Sequence, residues 1–201
     1  MAEALGEFSG RTDVVVVGVP RGGLVVAEEV AEALSAPLDV VVVKKLGYPG
    51  NPEFAMGAAG PDGYYLNDVA STVPKEYVEG EIREKQREAR ERVTMLRGAA
   101  PPVDIHGKTV IVVDDGVATG ASMMMAVRLL RAGGPASIVV AVPVAPPEAV
   151  KALRDVADRV VAVSQPESFY AIGQFYADFS QTSDEEARRI LEEARRRRAS
   201  R

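Results

Sequence analysis

Cysteine and tryptophan are absent from the 201 residues, and there is one histidine, His106. Without cysteine there is no disulfide and no thiolate metal site. One histidine cannot build an imidazole cage, and no Ser-His-Asp arrangement is evident around it. Placed just before Gly107-Lys108, His106 reads as a surface residue. Long apolar runs are missing too, since none nears the ~18–20 residues of a membrane span. The opening MAEALGEFSG carries acids where a signal peptide carries bases. A cytoplasmic location with no membrane partner is the expectation. Positive charge is in deficit as well: 24 Lys+Arg against 29 Asp+Glu leave a net −5. That balance argues against a general nucleic-acid binder, though not against a phosphate-rich ligand held by backbone amides and a few local bases. The basic end, Ala194–Arg201, reads as a solvated helix end favoured by the helix dipole.

What is present suits one sizeable core. Apolar residues make up 47% and charged residues 26%, the balance of a globular protein. A single domain over residues 1–201 is expected, with no internal repeat.

The stretch with the most chemical content is Lys108–Ser122, KTVIVVDDGVATGAS. Val110–Val113 is an apolar run of strand type, ended by the adjacent carboxylates Asp114 and Asp115. A small-residue loop follows, Gly116, Val117, Ala118, Thr119, Gly120, Ala121 and Ser122, and then a helical run, Met123–Arg131. Backbone N–H groups at a helix start favour anions, and glycine lets a backbone close on a phosphate. Two acids side by side repel each other, so an ordinary strand-to-helix turn gains nothing from them.

Upstream, Asp13–Val19 and Leu38–Val43 read as strands buried on both faces of a parallel sheet. An amphipathic helix, about Leu24–Leu34, joins them. The first strand runs into Pro20-Arg21-Gly22-Gly23, either a simple glycine turn or a phosphate loop with Arg21 as a forked donor. The second is closed by Lys44 and Lys45, which serve either solubility or an anion. Within the Gly- and Pro-rich Leu46–Leu66, Ala55–Gly60 and Gly63–Leu66 form two short strands around a Pro61-Asp62-Gly63 turn. Pro74–Arg97 is one charged helix with a narrow stripe at Val78, Ile82, Ala89, Val93 and Leu96. It also carries acid-first pairs four apart, Glu79/Arg83, Glu81/Lys85 and Glu88/Arg92. It packs by one edge, or else makes a dimer contact or bears a lid.

Downstream, Ser137–Val142 and Arg159–Val163 are strands flanking a helix at Pro147–Ala157. The alternation from Asp13 to Val163 is that of a doubly wound α/β domain with a mainly parallel five-stranded sheet. Aromatics are only 5% of the chain, yet Phe169, Tyr170, Phe175, Tyr176 and Phe179 fall within Ser164–Ser180. They either anchor the last segment or form a small hood. Ser183-Asp184-Glu185-Glu186 is a capping box opening a terminal helix.

Asp114–Ser122, with Pro20–Gly23 and Gly50-Asn51-Pro52-Glu53, resembles the type I phosphoribosyltransferases, in particular a bacterial branch carrying these three motifs. The likeness covers the whole chain. Members usually have more chain before the first strand, so Met1–Gly10 is expected to be a shortened N-terminus. The resemblance implies a core at about 13–163, a flap-bearing insertion at 46–102, and a hood and terminal helix at 164–201. It implies phosphoribosyl transfer from 5-phosphoribosyl 1-pyrophosphate (PRPP) to a base-like nitrogen nucleophile. Residues 116–122 would hold the 5′-phosphate, while Arg21, Gly22, Gly23, Lys44 and Lys45 would hold pyrophosphate. Asp114 and Asp115, with Arg21 and Lys45, would be catalytic. Glu53 on the flap would contact substrate, and Phe169, Tyr170, Phe175 and Tyr176 would stack the acceptor. Mg²⁺ would be carried mainly on the ligand, with Asp114 and Asp115 the one direct protein contact in view. A homodimer is expected. Where hypoxanthine-type members carry an Asp as candidate base, this chain has Ala118. The alternative is a non-catalytic PRPP- or nucleotide-sensing protein on the same fold.

Overall fold

The computed structural model describes residues 1–199, apart from the side chain of Glu53. The chain runs through β1 (Val14–Gly18), α1 (Gly22–Leu34), β2 (Leu38–Val40), β3 (Lys44–Tyr48), β4 (Asn51–Ala59) and β5 (Tyr64–Leu66). It continues with α2 (Lys75–Arg97), β6 (Thr109–Val113), α3 (Ala121–Arg131), β7 (Ser137–Val144), α4 (Pro147–Arg154), β8 (Arg159–Ser164) and α5 (Asp184–Ala199). Five strands form an all-parallel sheet in the order β2-β1-β6-β7-β8.

The apolar runs are continuous because the sheet is covered on both sides. Alternate side chains of one strand enter different layers. Val14 and Val16 pack with Leu24, Val30 and Leu34 of α1, with Val93 and Leu96 of α2 and with Ile190 and Leu191 of α5. Val15 and Val17 face the other way, toward Met123 and Val127 of α3 and Val150 and Leu153 of α4. Each such buried side chain contributes roughly 1.5–3 kcal/mol. Leu5 and Phe8, on a short 3₁₀ turn at Ala2–Phe8, join the first layer.

The second strand is shorter than the apolar run predicts. Beyond Val41, whose N–H donates to Gly18 O, β1 offers no further ladder partner, because Val19 N–H bonds Val113 O instead. The chain leaves the sheet while still buried, and Lys44 and Lys45 begin β3 instead of closing β2. With β4 and β5, β3 makes a separate antiparallel sheet. This flap sheet therefore starts at Lys44, not Leu46. Its small core is Leu46, Met56 and Ala59 against Val73, Val78 and Ile82.

The stripe expected on α2 is buried throughout, but the charge pairing differs. Glu79 meets Lys75 at 3.6 Å, and Glu88 meets Lys85 at 2.6 Å and Lys44 at 3.2 Å, while Arg92 reaches across to Asp184. Glu79 keeps a local partner one turn earlier, whereas Glu88 and Arg92, which are partly shielded from water, also take partners from other elements. The basic end is also less solvated than its composition suggests. Arg195 donates to Arg97 O at 2.7 Å and Arg197 to Glu28 at 2.5 Å; residues 200 and 201 lie outside the described residues. Ser183 caps α5 by accepting from Glu186 N–H at 3.1 Å. Helix α4 stops at Arg154, short of Ala157, and α3 starts two residues early at Ala121. No helix among the described residues is long and apolar enough to cross a membrane.

One buried ion pair locks α2 to the sheet edge. Asp39, 5% exposed, accepts from Arg97 Nε at 2.9 Å and Nη2 at 3.1 Å, and from the N–H groups of Val40 and Val103. Removing one partner strands the other charge out of water. Asp39→Ala is expected to cost about 3–5 kcal/mol of stability in urea unfolding. A loss below about 1 kcal/mol would contradict this role.

Candidate active site

In a doubly wound sheet, ligands bind beyond the carboxyl ends of the strands where the strand order reverses. Here the reversal lies between β1 and β6, since β2 falls to one side and β7 and β8 to the other. The segments leaving those two strands are Pro20–Gly23 and Asp114–Gly120, so topology alone brings the two motifs together.

The contact is tight. Gly22 and Gly23 open α1 directly against the acid pair. A Cβ on Gly22 would overlap the Asp115 carboxylate, and one on Gly23 would lie 2.6 Å from Asp114 Oδ1 and 2.8 Å from Asp114 Cα. Only glycine lets this loop lie on those carboxylates. The Pro20–Arg21 peptide is cis. Neither N-cap residue, Arg21 or Gly120, caps its helix through a side chain; Ala121 N–H reaches Thr119 Oγ1 at 3.4 Å, and the other first-turn N–H groups lie at this edge. Gly120, the residue before α3, has φ +83°, which a side chain would strain.

The acids are uncomfortable where they stand. Burial, and then the neighbouring Asp115 charge, push the Asp114 carboxyl well above its ordinary range. Burial also raises Asp115. Asp115 N–H donates to Asp114 Oδ1 at 2.9 Å, and the Tyr176 hydroxyl donates to Asp115 O at 2.5 Å. Burial and the two carboxylates push the Tyr176 phenol up to about 12, so it stays a donor at neutral pH.

Three hollows surround this centre. A shallow one of about 230 Å³ follows the loop from Asp114 to Met123 and is closed by Ile172. It contains all of Gly116–Ser122, with Ala118 and Thr119 exposed. A second, also about 230 Å³, lies between Pro20, Lys44, Arg92 and Ser122. The largest of the three, about 460 Å³, opens between Arg21, Gly22, Asp115, Tyr176 and Phe179. An apolar hollow of about 310 Å³ lies elsewhere, beneath the Pro61–Gly63 turn against Leu129 and Arg97, away from the acids.

The residues singled out from the sequence distribute unevenly over this site. Arg21 stands 3.6 Å from Asp184. Lys44 lines the second hollow, whereas Lys45, next on the same strand, points to the opposite face. Glu53 sits on β4 of the flap sheet, and its side chain lies outside the described residues. Tyr176 lines the largest hollow. Phe175 stacks on Phe169 at 5.4 Å, and the Tyr170 ring is 90% exposed.

Ile172 and Arg92 escaped sequence reasoning, and Phe179, read there only as part of the aromatic cluster, joins them at the site. Ile172 packs on Gly116, where a Cβ would meet it at 2.7 Å. Phe179 stacks on Tyr176 at 5.1 Å. Arg92 lines the second hollow from α2. Of these, only Phe179 had a signal, its place in the aromatic cluster.

Two carboxylates are hard oxygen donors that suit Mg²⁺, with phosphate and water completing its shell. No group of three or more potential metal-ligating side chains is present among the described residues. As a donor set, the two adjacent carboxylates fit a divalent cation that a phosphate also ligates.

The family model described as "Phosphoribosyl transferase domain" matches residues 1–180. Two Mycobacterium tuberculosis proteins, from strains CDC 1551 / Oshkosh and H37Rv, each named "Putative phosphoribosyl transferase", are 42% identical over 200 residues. That alignment takes in 98% of this chain but 45% of each relative, so the chain spans about half their length. The crystal structure of the protein TT1426 from Thermus thermophilus superimposes with a TM-score of 0.86 at 46% identity, covering 96% of this chain and 92% of that one.

The raised Asp114 carboxyl has a thermodynamic consequence. An acid whose folded-state value lies above its unfolded value of about 3.9 costs stability once pH rises past the unfolded value. Asp114→Asn should therefore raise the Tm of the ligand-free protein at pH 7. The gain should shrink as pH falls and vanish near pH 4. A lower Tm at pH 7 would refute the burial account.

Proposed function

The chain belongs to the type I phosphoribosyltransferase family, and on that premise we propose that it transfers ribose 5-phosphate from PRPP to a nucleobase or similar nitrogen nucleophile. The observation carrying this reading is the close approach of Gly22 and Gly23 to Asp115 and Asp114. It brings a candidate anion-binding loop directly against a candidate hydroxyl-binding acid pair, so that one phosphosugar would meet both.

In the proposed complex the N–H groups and hydroxyls of residues 116–122 hold the 5′-phosphate at the start of α3. Asp114 and Asp115 accept from the 2′- and 3′-hydroxyls and offset positive charge developing on the ring. Arg21 and the Gly22 and Gly23 amides hold pyrophosphate, with Lys44 at the head of the flap supplying further positive charge, while Lys45 points away from it. Mg²⁺ on the pyrophosphate, met by Asp114 and Asp115, would neutralise the charge of the leaving group.

At C1 the bond to the pyrophosphate oxygen breaks, and that oxygen keeps the electron pair. The acceptor nitrogen forms the new bond. Its proton passes to pyrophosphate or solvent, because Ala118 offers no group to take it. The flap strands β3–β5, with Glu53 on β4, close over the sugar and exclude water. Tyr176, Phe175 and Phe169 form the acceptor side with Ile172, while Tyr170 reaches it only if the hood shifts.

The test is pyrophosphate release from PRPP with Mg²⁺ across a panel of bases. Release with at least one base is expected. Tight PRPP binding with no turnover on any base would instead favour the sensing role. Two variants test the sites. Asp114→Asn with Asp115→Asn should abolish the PRPP-induced rise in Tm, and an unchanged rise would remove both acids from the ribose. Arg21→Ala should weaken pyrophosphate about tenfold or more, as expected for a charged hydrogen bond, and ribose 5-phosphate little. Equal losses would place Arg21 elsewhere.

A further inference from the structure

Arg92 and Asp184 are 92 residues apart in the chain, yet they form a bidentate pair, Nη1 to Oδ2 at 2.7 Å and Nη2 to Oδ1 at 2.5 Å. Asp184 also takes Arg21, at 3.6 Å. Both arginines together hold its carboxyl below the usual range, Arg92 most strongly. One carboxylate at the start of α5 thus engages the arginine of the Pro20–Gly23 loop and an arginine from the middle of α2.

These two guanidiniums line hollows that adjoin at that loop. Arg21 and Gly22 border one, and Pro20, Lys44, Arg92 and Ser122 border the other. Lys44 is held in the same manner, by Glu88 of α2, one turn before Arg92 on the same helix. Three cations that face the loop are therefore each held by a carboxylate from a helix outside the catalytic motifs. None of these pairs is buried deeply enough to be permanent: Arg21 is 33% exposed and Asp184 41%.

A carboxylate between two forked guanidiniums occupies them as a phosphate would, with the same planar, bidentate geometry on arginine. We propose that Arg92 is a second pyrophosphate-binding cation beside Arg21, and that Asp184 is the internal anion both must leave to take it. This rests on the functional reading above, in which Arg21 faces pyrophosphate. Pyrophosphate carries several negative charges where Asp184 carries one, so the exchange favours the ligand once it is present. The carboxylate meanwhile keeps two arginines apart from mutual repulsion and ties α5 to the loop.

Arg92 is then a binding residue supplied from outside every sequence motif. Asp184 sets the affinity by competition. Removing the competitor should tighten pyrophosphate, and removing the cation should loosen it.

The experiment is calorimetric titration of the full chain with Mg²⁺-pyrophosphate and, separately, ribose 5-phosphate. Arg92→Gln should weaken pyrophosphate about tenfold, the equivalent of one charge-assisted hydrogen bond, and leave ribose 5-phosphate unchanged. Arg92→Lys, which keeps the charge without the fork and guards against a folding defect in the first variant, should fall between. Asp184→Asn should tighten pyrophosphate severalfold. Wild type that binds pyrophosphate while Arg92→Gln binds it equally well overturns this proposal alone, as does an equal loss of both ligands. Weaker pyrophosphate binding by Asp184→Asn would mean the carboxylate positions the site instead of competing for it. Wild type that binds neither ligand overturns the functional reading and this proposal with it.

Discussion

Everything at the site depends on two side chains that are not there. Gly22 and Gly23 let the start of α1 lie on the carboxylates that end β6, a separation no other residue type permits. The sheet makes this approach possible, because β1 and β6 are neighbours in register, Val14 with Thr109 through Gly18 with Val113. Both strands therefore end at the same level. Val19 N–H to Val113 O at 2.9 Å extends the pairing one step into the loop. An insertion or deletion in either strand would shift one motif past the other.

That edge gathers what the rest of the molecule avoids. Two carboxylates lie side by side with raised protonation, and two helices begin without a side-chain cap from the N-cap residue. Elsewhere most polar groups among the described residues are matched, with Asn67 Oδ1 and Arg195 Nη2 the buried exceptions. Asp39 alone satisfies two backbone N–H groups and a guanidinium, and Asp158 takes Ile138 N–H and Arg131. The valine-rich layers on both sheet faces supply the stability against which the acid pair is set. The acid pair's unfavourable electrostatics lie where a polyanion, a cation and a ring of hydroxyls would relieve them.

Much of this was legible in the residues. Apolar runs bounded by Pro-Arg-Gly-Gly and Asp-Asp-Gly predicted the central strands, and they predicted that the two motifs share an edge. The α2 stripe was correct in every member. What sequence could not show was pairing across long stretches of chain. Lys44 as the first residue of a flap strand depends on where β1 runs out of partners. Arg92 reads locally as the partner of Glu88, and only the fold turns it toward Asp184. Ile172 carries no signal, since its place on Gly116 comes from how the hood descends.

The proposed acceptor side differs physically from the proposed donor side. The phosphate loop is backbone, stiffened by the Gly120 turn and by Val117 N–H to Val144 O at 2.9 Å. The hood is side chains on short turns: Phe169 on Phe175, Phe179 on Tyr176, and one hydroxyl on Asp115 O. Backbone donors at strand ends recognise any phosphate in the same way, and so their motif can be read from residue types. Stacked rings recognise a shape, which depends on rotamers and on how far Ile172 and Tyr176 stand from the acids. Because Tyr176 is bonded to the backbone of Asp115, the hood's position is tied to that of the acid pair. On the proposed function, the residue facing the acceptor would thus be anchored to the group that orients the donor.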